Sequence, residues 1–192
     1  MDWLYHMIQD DSKKVTEIVK NCALIGIAVI FLLGSFMHSI YALSGEAFIV
    51  GLIAPVNESV WEHLKMAFFP TIFWWTLCYL RLKSNGIPLN QWFISAVISS
   101  IISPLFILSF YYSYTGAFGF HSLILDILSL FFGIVIAQLK ALHVYQYAKL
   151  KPGHFYLALF IFIVSFMCFI IFTFCTPHLP LFQDPLTGSY GI

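Results

Sequence analysis

Charge is what this sequence has least of: 9% of its residues are Asp, Glu, Lys or Arg, against about a quarter in a soluble domain. That scarcity excludes a surface solvated mainly by water. The nine cations are balanced by nine anions, so there is no basic field of the kind that holds nucleic acid or an acidic partner. The four cysteines, Cys22, Cys78, Cys168 and Cys175, form neither a C-x-x-C pair nor a ligand-like spacing and are expected to act as small buried hydrophobes. The first residues lack a basic region, a short apolar core and a small-residue cleavage site, so no removable signal peptide is expected. No internal repeat is visible, which argues against a transporter built from inverted halves.

What the chain has instead is apolar length. Of its 192 residues, 60% are hydrophobic. Five runs, 21–43, 59–82, 91–112, 120–147 and 154–175, reach the roughly 20 residues that a bilayer core demands. Backbone groups in lipid must pair internally, so these runs are expected to be helices. The fold class is therefore all-α: a polytopic bundle of five transmembrane helices over 21–175, with membrane lipid as its main partner. Pro70 and Pro104 fall inside the second and third runs and should kink them. Residues 1–20 carry Trp3, Leu4, Met7 and Ile8 on one helical face, the mark of an interfacial helix. The run 47–54 is too short to span and reads as a re-entrant or interfacial piece.

Short cytoplasmic loops accumulate Lys and Arg. Lys13, Lys14, Lys20, Arg81, Lys83, Lys140, Lys149 and Lys151 all fall on one side of the five-run topology. The N-terminus is therefore expected inside and the C-terminus outside, in a plasma membrane. The remaining cation, Lys65, opens the second run.

On the opposite, outer side gather His38, Glu46, Glu58, Glu62, His63, His121, Asp126, His178 and Asp184. Sequence-distant imidazoles and carboxylates meeting at one depth resemble a site. Asp126 lies about 9 Å inside the fourth run at about 1.5 Å per residue, and a carboxylate there costs a few kcal/mol unless neutral or paired. Ser122, Ser129, Gly133 and Ala137 share its face, which points into the bundle. The bland reading is a hydrogen bond to a neighbouring serine. The stripe Ser95, Ser99 and Ser103 reads as close helix packing and offers such hydroxyls.

The segment Pro55-Val-Asn-Glu-Ser-Val-Trp-Glu-His-Leu-Lys65 has an equally plain reading: Asn57 or Ser59 caps a helix, Glu62 completes a capping box, and Trp61 and Lys65 anchor the interface. Capping accounts for one carboxylate, however, and not for Glu58, Glu62 and His63 together. The tail 176–192 is rich in turn residues yet carries Leu179, Leu181, Phe182 and Leu186, so it is expected to fold over the outer mouth, bringing His178 and Asp184 with it.

That segment and the ending Asp184-Pro-Leu-Thr-Gly-Ser-Tyr-Gly191 resemble a family of small, uncharacterised prokaryotic membrane proteins along nearly the whole chain. The resemblance implies a prokaryotic plasma membrane and no particular activity. A looser likeness is to intramembrane zinc hydrolases of the alkaline ceramidase and adiponectin-receptor type, which gather three histidines and an aspartate near one membrane face. Those have seven spans and an H-x-x-x-H pair, both missing here, so no ligand is carried over.

The leading expectation is an outer-face, metal-assisted hydrolase of a lipid-like substrate. His63, His121 and His178 are the expected zinc ligands, Asp126 orients a ligand or the water, and Glu62 is the general base; His38, Glu58 and Asp184 are further candidates. The alternatives are an ion or small-solute binding or transport protein, and a structural membrane subunit without catalysis.

Overall fold

A computed structural model describes residues 2–192, with side chains from residue 13 onward. The expected apolar face of Trp3, Leu4, Met7 and Ile8 lies outside those described side chains. Six α-helices follow one another: α1 (Asp2–Leu43), α2 (Phe48–Gly51), α3 (Val60–Leu82), α4 (Leu89–Phe118), α5 (Leu123–Tyr147) and α6 (Pro152–Phe174), with single 3₁₀ turns at Lys83–Asn85 and Pro180–Phe182. No strand occurs among the described residues. The architecture is all-helical, and the short links between α3, α4, α5 and α6 make consecutive long helices antiparallel.

Among the described residues, four helical stretches are long and apolar enough to cross a membrane: Lys13–Leu43 within α1, then α4, α5 and α6. The remaining expected span is α3. Its 23 residues reach about 34 Å at 1.5 Å per residue, but Glu62, Lys65 and Arg81 make it more polar than the others. The packing explains how the bundle tolerates this. α3 lies against α1 and α4, α5 closes the ring against the same two helices, and α6 packs outside on α4 and the edge of α3. Met66 to Thr71 is buried without a break, so α3 meets protein where the other long helices expose apolar side chains.

Small residues set the close approaches. A Cβ at Gly34 of α1 would run into the Met66 carbonyl oxygen of α3, and one at Gly133 of α5 would come within 3.1 Å of the Ser103 carbonyl oxygen of α4. Ser95, Ser99 and Ser103 are fully buried, and Ser99 accepts a 3.0 Å hydrogen bond from Gln138 Nε2, whose Oε1 accepts from Trp75 Nε1 at 3.2 Å. This chain of bonds ties α4, α5 and α3 together in the interior, where an unpaired amide would be costly. Both α3 and α4 continue through their internal prolines, Pro70 and Pro104.

One expectation is corrected. Cys22 and Cys78 form a disulfide between α1 and α3, with Cα atoms 6.8 Å apart, instead of acting as isolated buried hydrophobes; Cys175 is exposed. Local spacing rules cannot see a pair created by two helices crossing.

Candidate functional site

The lead-in to α3 is shaped by its cap. Ser59 takes the extended N-cap conformation and its hydroxyl accepts the Glu62 N–H, while Asn57 Oδ1 accepts the Ser59 N–H at 2.9 Å. The Glu62 carboxylate does not complete a capping box. It pairs with Lys65 Nζ at 2.7 Å and accepts the Val56 N–H at 3.1 Å. Lys65 is fully buried and Glu62 is 2% exposed, so Lys65 is an interior ion-pair partner and not an interface anchor. Its ammonium also donates to the Gly51 and Ala54 carbonyls and to Thr173 Oγ1, whose hydroxyl lies 3.1 Å from Glu62 Oε1. These bonds fasten the 44–59 loop, including the single turn α2, to α3 and α6.

With the loop held, Glu58 stands between two histidines. Its Oε2 lies 3.5 Å from His38 Nε2 of α1 and 3.4 Å from His63 Nε2 of α3. The two imidazole rings are tilted against each other with centroids 5.1 Å apart. His63 Nδ1 is 2.9 Å from the Ser59 carbonyl oxygen; a carbonyl only accepts, so Nδ1 carries a proton, and Nε2 faces Glu58 as a donor when the ring is protonated and as a lone pair when it is neutral. Among the described residues, His38, Glu58 and His63 are the group whose ligand atoms all lie within 4.8 Å of one another. Their side chains stay between 31% and 42% exposed, leaving the cluster open on one side. The hydrogen bond from His63 holds the Glu58 carboxyl below its ordinary value, against burial, which pushes it up; the charges of His63 and His38 add to the lowering.

Asp126 opens α5 one turn beyond its Ser122 cap. Its Oδ1 accepts a 2.6 Å hydrogen bond from the Tyr114 hydroxyl of α4, so its partner is a tyrosine and not a serine. The carboxylate also acts electrostatically on His63, so it lies within range of the cluster's field but outside the group of three. The sequence reading missed Tyr114 and its neighbour Tyr111; the available signal was their i, i+3 spacing at the end of α4 facing the start of α5.

The other candidates have different company. His121 Nδ1 is 2.9 Å from the Tyr111 hydroxyl, and the His178 ring stands edge-on to Tyr190; neither belongs to the His38–Glu58–His63 group. Asp184 is buried and acts as a clasp. Its Oδ1 accepts the Leu186 and Thr187 N–H groups, and its Oδ2 accepts the Glu58 N–H at 3.4 Å. The tail is pinned further by Asn57 Nδ2 on the Gly191 carbonyl, by the Ile192 N–H on the Thr173 carbonyl, and by Phe182 against Trp61.

No curated protein and no solved structure matches the chain. A family model does, over residues 11–192, and by that match the chain belongs to DUF6512, a family of unknown function.

Proposed function

We propose that His38, Glu58 and His63 form a divalent-metal centre, best suited to zinc, at the outer membrane face, and that the centre serves hydrolysis of a lipid-like substrate. One observation carries the reading: two imidazole Nε2 atoms converge on a single carboxylate oxygen at 3.5 and 3.4 Å. A direct charge-assisted N–H···O bond would be about 2.7 to 2.9 Å. Two ligands of a tetrahedral zinc, each about 2.0 to 2.2 Å from the ion, stand about 3.3 to 3.6 Å from each other. The spacing therefore suits atoms sharing a cation better than atoms sharing a proton. His63 is also held as metal-binding histidines usually are, with its other ring N–H on a backbone carbonyl.

Three protein ligands with an open side are the pattern of a catalytic zinc site. Bound zinc would lower the pKa of a water toward about 7 and polarise a substrate oxygen. Asp126, steadied by Tyr114, takes the role of orienting water or accepting its proton. Glu62 is unsuited to that role because Lys65 occupies its carboxylate. The same end of the bundle presents Leu43, Phe48 and Ile49 outward, in keeping with a substrate that arrives through lipid.

The test is metal analysis of protein purified in chelator, reloaded with zinc and washed. About one equivalent should be retained by the parent and by His121→Ala and His178→Ala, and lost from His38→Ala and His63→Ala. Retention by the last two variants would remove the centre. Full hydrolytic activity of metal-free protein would remove the mechanism while leaving the centre standing.

A further inference from the structure

The other end of the bundle, where the lysines gather, holds a cavity of about 650 Å³ between the start of the described part of α1, the α3–α4 link and the last turns of α5. That volume lies within the roughly 300 to 1,000 Å³ typical of small-ligand sites. Lys14, Thr16, Ser84, Asn85, Gln91, Tyr145 and Gln146 supply its polar lining, and no carboxylate is among its described lining residues. Among the described residues a cation would meet no opposite charge there. An anion would.

Two independent features point the same way. Pro88, the N-cap of the 30-residue α4, lines the cavity and gives that helix no side-chain cap, so the first-turn N–H groups and the positive end of the helix dipole remain available. Tyr145 is 7% exposed and packs its ring against Trp92, yet its hydroxyl makes no hydrogen bond with any described residue although it lines the cavity. That hydroxyl is therefore free to bond an occupant of the cavity. Lys14, Tyr145, Gln91 and the α4 N-terminus together offer an ammonium, a hydroxyl, an amide and backbone N–H groups, a donor set matched to an acceptor-only group with several oxygens.

We propose that this cavity binds a phosphate-bearing anion, either the headgroup of an anionic lipid from the adjoining leaflet or a free phosphate. The proposal is independent of the metal centre at the opposite end. The full-length protein is delipidated in neutral detergent and titrated with inorganic phosphate by calorimetry; in parallel it is placed in mixed phosphatidylglycerol and phosphatidylcholine nanodiscs and the retained lipid is counted by native mass spectrometry. Saturable phosphate binding identifies the free anion. Preferential retention of phosphatidylglycerol without phosphate binding identifies the headgroup. In either case Lys14→Gln and Tyr145→Phe should each weaken binding at least about 10-fold, as expected for losing a hydrogen bond to a charged group. If Tyr145→Phe does not fold, Gln91→Leu replaces it. Binding of neither probe, or binding that survives these substitutions unchanged, overturns the proposal.

Discussion

At the residue scale, the protonation of Glu58 governs the histidine cluster, because its Oε2 receives both ring nitrogens. Its folded pKa is lowered, chiefly by the hydrogen bond from His63. The ionised form therefore contributes stability that is fully present above the unfolded value of about 4.3 and is lost as pH falls through the lower folded value. With 41% of the side chain exposed, solvent screening keeps that contribution small. The thermal midpoint of metal-free parent protein should drop more between about pH 5 and about pH 3.5 than that of Glu58→Gln; equal slopes would mean that Glu58 is not held by the histidines. His38, Glu58 and His63 were each legible as polar residues of one bundle end. Their convergence was not, since it depends on how far the 44–59 loop folds back, and that is decided by Lys65, which composition alone makes look like an interface anchor.

At the element scale, the helices were largely readable and their ends were not. The third run was expected to stop at Tyr112, where polar residues begin, but α4 continues to Phe118. Ser113 and Thr115 return their hydroxyls to the carbonyls of Ser109 and Tyr111 at 2.6 and 2.7 Å, which lets polar residues stay helical. The helix ends at Gly119, whose φ of 70° suits a residue without Cβ. That extra length carries Tyr114 to Asp126. The opening of α3 depends on its buried ion pair. Lys65→Met leaves the Glu62 carboxylate buried without its partner, and loss of about 3 to 5 kcal/mol is expected. The double variant Lys65→Met with Glu62→Leu should recover a large part of it, and limited proteolysis should cut the 44–59 loop faster in the single variant than in the double. A single variant as stable as the parent would show that the pair does not hold the loop.

At the scale of the whole molecule, orientation rests on the lysines. In a Cys168→Ser, Cys175→Ser background, a cysteine introduced at Ser189 should react with an impermeant thiol reagent in intact cells, and one at Ser84 should react only after lysis; the reverse pattern would invert the bundle and move the histidine cluster to the cytoplasmic face. With the N-terminus inside, the Cys22–Cys78 bond would lie toward the cytoplasmic end, where thiols are normally kept reduced. Burial of both sulfurs among helices, at 5% and 8% residue exposure, shields the bond from soluble reductants.

The same disulfide spans 56 residues of sequence, and His38, Glu58 and His63 all lie between its two ends. The three groups that meet at one end of the bundle thus belong to a single covalent ring closed at the other. A peptide bond cut anywhere in the 44–59 loop opens that ring without dividing it, so the nicked chain migrates as one species until reductant is added and keeps all three side chains on one connected piece.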